Sequence, residues 1–428
     1  MNPLAEELNR TLENVTAGRL LSDLGKRLFF PRGIVAQSEE AGRLAGRFNA
    51  TAGIAFEHGV PLHLSGIRRE LPGLPPGEVF PYAPTGGMPR LRELWRQEIY
   101  RKNPLLGATP VSLPAVTAGL THGISLTADL FLDPGDRVLL PDLHWDNYDL
   151  IFRERREAEP ETFPFFNSRG GFNLEGMEEG LRRMPPEKTV LLLNFPNNPT
   201  GYTPLEGEVR AMTGILETLA WEGRRILVIC DDAYFGLCYE EGLFRESPFA
   251  LLADLHENLL AVKVDGATKE EFTWGFRVGF LTMAGRGLSR EHFTALETKL
   301  LGAVRSGVSS CSRPAQSLLI RALEDPERGG DKARGEALLA ARYRKIREIL
   351  DSPARRSRLI PLPFNSGYFL TFRLEAGGAE SLRRILLEEY GVGIIALDDR
   401  TVRVTYSSVD LENLEALFRV LDEAAEKL

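Results

Sequence analysis

Four short apolar runs, each followed at once by polar or small residues, constrain the fold of this 428-residue chain more than any other feature. They lie at residues 136–141, 189–195, 225–230 and 259–264. Predominantly apolar runs of this length are typical of strands that are buried on both faces. We therefore expect four buried strands, with the polar residues that follow each run at the mouth of its strand.

Lys269 follows the last of these runs, directly after Thr268, and Arg277 stands just before the next apolar run at 278–281. A lysine held partly desolvated at a strand end has a lowered pKa and can act as a Schiff-base amine. An arginine that returns on the next strand offers a permanently charged fork suited to a phosphate. A chain with 52 lysines and arginines contains many such pairs by chance, so the pair alone is a weak signal.

The wider spacing is more specific: it reads Thr-Lys, then seven residues, then Arg-Val-Gly. This pattern resembles the motif of pyridoxal-phosphate enzymes of the aspartate aminotransferase superfamily. The resemblance implies that Lys269 is the catalytic residue, binding the aldehyde of pyridoxal 5'-phosphate, and that Arg277 binds the cofactor's phosphate. Gly266 departs from the pattern, because many members carry a phosphate-binding serine at this position.

Asp231 stands at the end of a strongly apolar strand. Burial of its carboxylate there would cost free energy unless it faced a cation or a binding site. It begins an Asp-x-Ala-Tyr sequence that resembles the family pattern, which implies that Asp231 keeps the pyridine nitrogen of the cofactor protonated. The same pattern implies that Tyr234 bonds the cofactor's phenolic oxygen beside Asn198, which lies in an Asn-Pro-Thr-Gly turn. We expect the neighbouring Asp232 to be exposed.

Three further positions match cofactor contacts of the family. A junction of small residues at 114–124 leaves free backbone N–H groups at a helix N-terminus. Its place in the family order implies a phosphate site at Leu120 and Thr121. Most such junctions, however, are only tight turns. Trp145 matches the aromatic that stacks on the pyridine ring; Tyr148 is the other candidate, and core packing is the alternative for both. Tyr82 resembles the tyrosine that reaches the neighbouring subunit's phosphate, which implies a homodimer with shared active sites, whereas ordinary packing is the alternative.

The substrate side of the pattern depends mainly on Arg403, a charge in the otherwise apolar run 402–407. It matches the arginine that holds the α-carboxylate of an amino acid in a bidentate pair, and a structural ion pair is the alternative. Gly66 matches a segment that passes over the substrate, so it either approaches the substrate's carboxylate or only forms a tight turn. Arg305 and Arg313 lie near the position that binds a distal carboxylate, but neither fits the register, and a solvated linker is the plainer interpretation.

The composition disfavours several other classes of protein. The net charge of −8 and the pI near 5.5 argue against a nucleic-acid or anionic-membrane partner. Three cysteines without a CxxC pair predict a cytoplasmic protein with no disulfide framework, and no metal site is expected. The first residues do not resemble a signal peptide, and no apolar run approaches the length of a membrane span.

The resemblance extends from about residue 64 to residue 407 and implies an α/β protein of fold type I. We expect a large domain with a seven-stranded, mostly parallel sheet and a smaller α/β domain. The expected boundaries are an N-terminal helical arm at 1–63 that belongs to the small domain, a cofactor-binding domain at 64–305 and a small C-terminal domain at 306–428. Helical spacing predicts helices within residues 4–46, and short apolar pieces predict entry strands at 49–55 and 62–67.

The implied activity is that of an aminotransferase, which moves an amino group between an α-amino acid and a 2-oxo acid through a Schiff base on Lys269. A lyase or decarboxylase that uses the same Schiff base is the alternative. A non-catalytic sensor of pyridoxal phosphate or another ligand is the third possibility. The lack of a helix-turn-helix signature or a basic face near the N-terminus disfavours this third possibility.

Overall fold

The computed structural model of the protein describes residues 1–12, 21, 23–27 and 33–428. Its first helices are Pro3–Leu12, Asp23–Arg27 and Ile34–Leu44, and the remainder of the predicted helical stretch up to residue 32 lies outside the described residues. Three short strands follow: β1 (Phe48–Asn49), β2 (Phe56–Glu57) and β3 (Val60–Pro61).

Seven strands form the central sheet of the protein. They are β4 (Ala115–Thr117), β5 (Arg137–Pro141), β6 (Glu159–Phe163), β7 (Thr189–Asn194), β8 (Ile226–Asp231), β9 (Leu259–Gly266) and β10 (Gly279–Ala284). Their order is β4-β10-β9-β8-β7-β5-β6, and every neighbouring pair is parallel except the two that contain β10. The four apolar runs are β5, β7, β8 and β9, and the predicted seven-stranded, mostly parallel sheet is confirmed.

Apolar packing covers both faces of this sheet. On β5, Leu139 belongs to one hydrophobic cluster, whereas Val138 and Leu140 belong to another. Side chains of a strand point alternately to opposite faces, so each cluster lies on one face. The longer helices of this part are Pro89–Lys102, Leu120–Phe131, Leu174–Arg183, Glu206–Trp221, Arg290–Gly307 and Arg313–Glu324; shorter ones are Ser65–Glu70, Pro76–Val79, Asn147–Asp149, Phe249–Leu252 and Ala267–Glu270, and Leu150–Arg155 is a π-helix.

The C-terminal part of the chain forms a second, smaller layer with its own hydrophobic cluster. Its strands are β11 (Leu359–Pro361), β12 (Phe369–Leu374), β13 (Val392–Gly393), β14 (Ile395–Ala396) and β15 (Thr401–Thr405), and its helices are Arg328–Leu350, Ala379–Tyr390 and Leu414–Ala425. The antiparallel sheet order is β11-β12-β15-β14. β1 pairs with β13, whereas Arg27 donates a hydrogen bond to the Glu154 carbonyl oxygen at 3.1 Å. The N-terminal arm therefore contacts both layers.

Two short segments fold differently from the sequence prediction. Residues 62–67, expected as a strand, run into the helix Ser65–Glu70, and of residues 49–55 only Asn49 belongs to a strand. Apolar pieces this short do not distinguish a strand from a helix. No helix in the described part of the chain is long and apolar enough to cross a membrane.

The carboxyl ends of the central parallel strands lie side by side. In the strand register, Asn194 of β7 pairs with Asp231 of β8, which in turn pairs with Val264 of β9. Open parallel sheets bind their ligands in the crevice beyond the carboxyl ends of the strands. The polar residues that end the apolar runs are thereby brought together at one edge of the sheet.

Candidate active site

A cavity of about 420 Å³ lies at this edge of the sheet. Of the residues predicted to bind cofactor or substrate, all but Tyr82 and Gly66 line it: Leu120, Thr121, Trp145, Asn198, Asp231, Tyr234, Lys269, Arg277 and Arg403. They come from strand ends, helix N-termini and the small layer, so the fold gathers into one cavity residues that lie far apart in the sequence.

Lys269 lies in the helix Ala267–Glu270, immediately after β9. Its Nζ is 4.8 Å from the centre of the Tyr234 ring and forms no hydrogen bond or ion pair within the described residues. Burial lowers the pKa of Lys269 to about 8; the charge of Asp231 opposes this shift and the charge of Arg277 adds to it. At pH 7 roughly a tenth of the amine is therefore neutral and nucleophilic, far more than at the ordinary pKa of a lysine.

Asp231 is buried at the end of β8, with 3% of its surface exposed. The Tyr148 hydroxyl donates a hydrogen bond to its Oδ2 at 2.5 Å, and the Ala233 backbone N–H donates to its Oδ1 at 3.1 Å. Burial raises the pKa of Asp231, whereas the Tyr148 hydrogen bond and the charge of Lys269 favour the ionised form. Tyr148, considered from sequence only as a stacking residue, therefore has a second role as the hydrogen-bond donor of this carboxylate.

An anion-binding corner lies where the helix Leu120–Phe131 begins. Gly119 has a φ of 85°, and a Cβ atom there would lie 2.4 Å from Nη2 of Arg277, so only glycine lets the guanidinium approach the helix N-terminus. The Arg277 side chain has no carboxylate partner among the described residues. Helix N–H groups and an unpaired arginine together favour a bound anion such as a phosphate.

Gly266 shows why the family's serine is missing from this corner. A Cβ atom at Gly266 would lie 2.8 Å from the Val278 carbonyl oxygen and 2.9 Å from Cα of Gly279. The neighbouring strand β10 therefore leaves no room for any side chain at position 266.

Arg403 of β15 is a second arginine without a counter-ion, and it is 2% exposed. Its Nη1 donates to Oδ1 of Asn198 at 2.8 Å, its Nη2 donates to the Thr51 carbonyl oxygen at 3.0 Å, and its Nε has no partner. Burial lowers its pKa to about 10, although Tyr234 and Asp146 oppose the shift. No carboxylate of the described chain lies within ion-pair distance, so the geometry suits an incoming carboxylate better than the structural ion pair considered from sequence.

Aromatic and unpaired polar groups complete the cavity wall. Trp145 lines it and packs edge-on against Tyr148, with ring centres 5.5 Å apart. Sequence reasoning did not assign Thr268 and Trp274, whose Oγ1 and Nε1 atoms are buried without a partner. Two unpaired donors in the wall of a cavity fit a ligand with acceptor oxygens, as a phosphorylated pyridine would have. The sequence signal for Trp274 was its position between Lys269 and Arg277.

Of two glycines in the N-terminal segment, Gly53 lines the cavity and Gly66 does not. Gly66 lies in the helix Ser65–Glu70, where a Cβ atom would meet Oδ2 of Asp325 at 2.1 Å. A Cβ atom at Gly53 would be 3.3 Å from the Tyr234 hydroxyl. The segment that lines the cavity of its own chain is therefore 51–53, and a contact of Gly66 with the substrate stays a prediction.

Three other predicted residues lie outside the cavity of their own chain. Tyr82 is 94% exposed. Arg305 contacts Ser309 within its own helix region, and Arg313 donates to the Gly77 carbonyl oxygen at 3.2 Å. Neither arginine lines the cavity, in keeping with the plainer interpretation given above.

Asp232 is not exposed as expected: only 2% of its surface is accessible, and it pairs with the equally buried Lys263. The prediction was wrong because a lysine inside the apolar run of β9 supplies the counter-ion. Register places Lys263 beside Cys230, one residue from the end of β8, and this pairing is not visible in the local sequence of either strand.

The chain also matches a known family over most of its length. The model of the family described as aminotransferase class I and II matches residues 69–421. The chain belongs to this family. Two probable aspartate/prephenate aminotransferases are similar to it: one from Aquifex aeolicus at 25% identity over 58% of this chain and 57% of that protein, and one from Thermus aquaticus at 32% identity over 46% and 48%.

The chain thus spans about half the length of those curated relatives. A crystal structure of an aminotransferase from Anaerococcus prevotii covers far more of the fold, with a TM-score of 0.79 at 22% identity over 93% of this chain and 98% of that one. The chain therefore shares the overall fold of that structure over nearly its whole length.

Proposed function

We propose that this protein is a pyridoxal-phosphate-dependent aminotransferase that moves an amino group between an α-amino acid and a 2-oxo acid. The observation that carries the proposal is a single cavity in which a lysine of lowered pKa faces a buried carboxylate, with an unpaired arginine on either side. Pyridoxal phosphate, when bound, supplies a ring that accepts electrons from the substrate carbon. The names of the relatives, all aminotransferases, favour amino-group transfer over the lyase alternative.

The residues at the cofactor end have distinct roles in this proposal. Arg277 and the N–H groups at Leu120 and Thr121 hold the phosphate at the helix N-terminus. Asp231 holds a proton on the pyridine nitrogen. Trp145 packs on the ring face.

The residues at the substrate end control the reacting atoms. Lys269 accepts and returns the proton at the substrate's Cα. Tyr234 donates to the phenolic oxygen together with Asn198, whose Oδ1 is occupied by Arg403 so that its amide hydrogens remain free to donate. Arg403 binds the α-carboxylate, and Gly53 leaves room for the substrate beside Tyr234.

Borohydride reduction tests the central assignment. The purified protein should be yellow, and reduction followed by peptide mapping should place the cofactor on Lys269. Lys263, on the same strand–helix unit, is the internal control and should stay unmodified because its ammonium is paired with Asp232. Label on Lys263, or on no lysine, would contradict the assignment, and Lys269→Ala should be unlabelled and nearly inactive.

A panel of amino donors with 2-oxoglutarate then separates the two enzyme classes. Turnover that requires the oxo acid supports the aminotransferase, and aspartate is the first donor to test because the relatives are named for it. Turnover of an amino acid without any oxo acid would instead support the lyase or decarboxylase.

We further propose a homodimer in which Tyr82 reaches the phosphate of the partner's cofactor. Tyr82 and the nearby Phe80 are 94% and 82% exposed, a large apolar surface for one loop. Mixing Lys269→Ala chains with Tyr82→Phe chains tests the sharing. In a heterodimer one site carries both defects and the other neither, so about half of the wild-type dimer's activity should return. A mixture no more active than its components would exclude shared sites.

We place this enzyme in the cytoplasm. Its cysteines, Cys230, Cys238 and Cys311, are all free, and two of them are buried. Free buried thiols are typical of proteins from reducing compartments.

A further inference from the structure

A second group of charges lies behind the active site, on the reverse face of the central sheet. Asp231 and Val264 are paired in register on β8 and β9, and side chains alternate between the two faces of a strand. Lys263 and Asp265, which flank Val264, therefore point to the face opposite Asp231. Asp232, the residue after Asp231, meets them there.

These three residues form a buried ion triad. Lys263 pairs with Asp232, and its Nζ lies 3.4 Å from Oδ2 of Asp265. Their side chains are 1%, 2% and 0% exposed, respectively. Trp95 fixes the far end, because its Nε1 donates to Oδ1 of Asp265 at 3.0 Å. With all three groups ionised the triad carries one negative charge in excess.

A role in stability alone does not account for such a triad. Replacing a buried ion pair or triad by apolar side chains of similar volume is often neutral or stabilising, because desolvation costs about as much as the attraction returns. A buried charge is also poorly screened, so it acts over longer distances than a surface charge. Among the residues that line the cavity, the triad acts on Asp231, since the charge of Lys263 favours the ionised form of that carboxylate.

We propose that the Asp232–Lys263–Asp265 triad is a positioning cluster whose net charge sets the electrostatic balance between Asp231 and Lys269 on the other face of the sheet. In this arrangement Lys263 is a positioning residue that never touches substrate or cofactor. The inference rests on the proposed roles of Asp231 and Lys269.

The other charged or titratable groups near Asp231 belong to the active site itself. They are Tyr148, which donates to its carboxylate, Tyr234 and Lys269. Around Lys263 the further groups are Cys230 and Glu270. The triad can therefore be altered on the reverse face without removing a group that faces the cavity.

The test is a pH titration of the yellow absorbance of the cofactor-loaded enzyme, which follows protonation of the nitrogen that joins Lys269 to the cofactor. Asp232→Asn changes the triad's charge from −1 to neutral, so the titration midpoint should fall, on the order of one pH unit for the loss of a buried charge. The variant Asp232→Glu disturbs the same packing but keeps the net charge at −1. Its midpoint should stay within a few tenths of a unit of the wild-type value.

The comparison of Asp232→Asn with Asp232→Glu separates electrostatics from structural damage, because both variants alter core packing but only the first changes the charge. Asp422→Asn is the matched control: it makes the same change in an ion pair with Arg355 in the small layer, and it should leave the midpoint unchanged. If Asp232→Asn does not fold, Asp265→Asn makes the same charge change from the other end and should shift the midpoint in the same direction.

An unshifted midpoint in both asparagine variants of the triad, or a midpoint that shifts as far in Asp232→Glu as in Asp232→Asn, would overturn the inference. That outcome leaves the proposed function intact, since the absorbance itself still reports the cofactor on Lys269. A wild-type protein without any reducible absorbance on Lys269 would instead overturn the proposed function.

Discussion

Two arginines in neighbouring regions of the molecule, the buried Arg403 and the half-buried Arg328, differ in whether a carboxylate pairs with them. Arg403, in the active-site cavity, bonds only to an amide oxygen and a backbone carbonyl. Arg328, behind Lys269, bonds to both carboxylate oxygens of Glu271 and to Glu98 at 2.8 Å. The pKa of Arg403 is lowered by burial, whereas hydrogen bonds to the two glutamates outweigh burial and raise that of Arg328.

The two lysines of the same strand–helix unit repeat this contrast. Lys269 has no ion pair in the described chain, and burial lowers its pKa to about 8. For Lys263, burial acts in the same direction, but Asp232 and Asp265 outweigh it and raise the pKa. The chain thus pairs some buried cations internally and leaves others unpaired beside the cavity, and the unpaired ones are the candidates for contact with a ligand.

The largest effect should come from replacing each of the two carboxylates at the end of β8 with alanine. Asp231→Ala removes the group proposed to keep the pyridine nitrogen protonated, and turnover should fall by several orders of magnitude. Asp232→Ala should lower the free energy of unfolding by about 3–5 kcal/mol, because it breaks a buried pair, but should change turnover per folded molecule far less. Steady-state kinetics and denaturant unfolding on both variants measure the difference. Equal losses of turnover would show that the two carboxylates do not divide these roles.

Most of the candidate site could be predicted because its residues stand at fixed offsets from recognisable strands. Lys269, Asp231 and Asn198 each follow an apolar run. The order of the strands in the sheet then brings these three residues together. Arg403 was visible as a charge in an apolar strand. Their roles remain predictions that the experiments above address.

The positions that sequence reasoning could not fix depend on contacts between distant segments. Gly66 and Gly53 both lie in short apolar pieces, and only the packing of the N-terminal segment against β15 brings Gly53 to the cavity. The Thr405 backbone N–H bonds to the Ala50 carbonyl oxygen at 2.8 Å, which brings residues 51–53 to the cavity. Asp232 was misplaced for the same reason, since its partner Lys263 is on another strand.

A smaller effect should distinguish the two arginines. Arg328→Met leaves Glu271, whose side chain is 0% exposed, with Lys332 as its remaining cation, so stability should fall by about 3 kcal/mol. Arg403→Met leaves no carboxylate without a cation, so the free energy of unfolding should change little. Its KM for the amino acid should rise about 10- to 100-fold, because a charged hydrogen-bonded pair contributes about 1.5–3 kcal/mol. A large loss of stability in Arg403→Met would contradict the contrast between the two regions.

The smallest effect is a pH dependence of stability that arises from Lys269 alone. In the unfolded chain its amine is protonated below about 10.5, whereas in the folded, cofactor-free chain it is protonated only below about 8. Between these values the unfolded state binds more protons, so the stability of the folded state rises with pH across this window. The gain in the free energy of unfolding is on the order of 2 kcal/mol once partial exposure is allowed for.

In Lys269→Met this pH-dependent gain should be absent while all other groups titrate as before. The difference between the two proteins' unfolding free energies at pH 8 and pH 10 therefore isolates it. An identical pH dependence in both proteins would mean that Lys269 is not held in the partly neutral state that distinguishes it from Lys263.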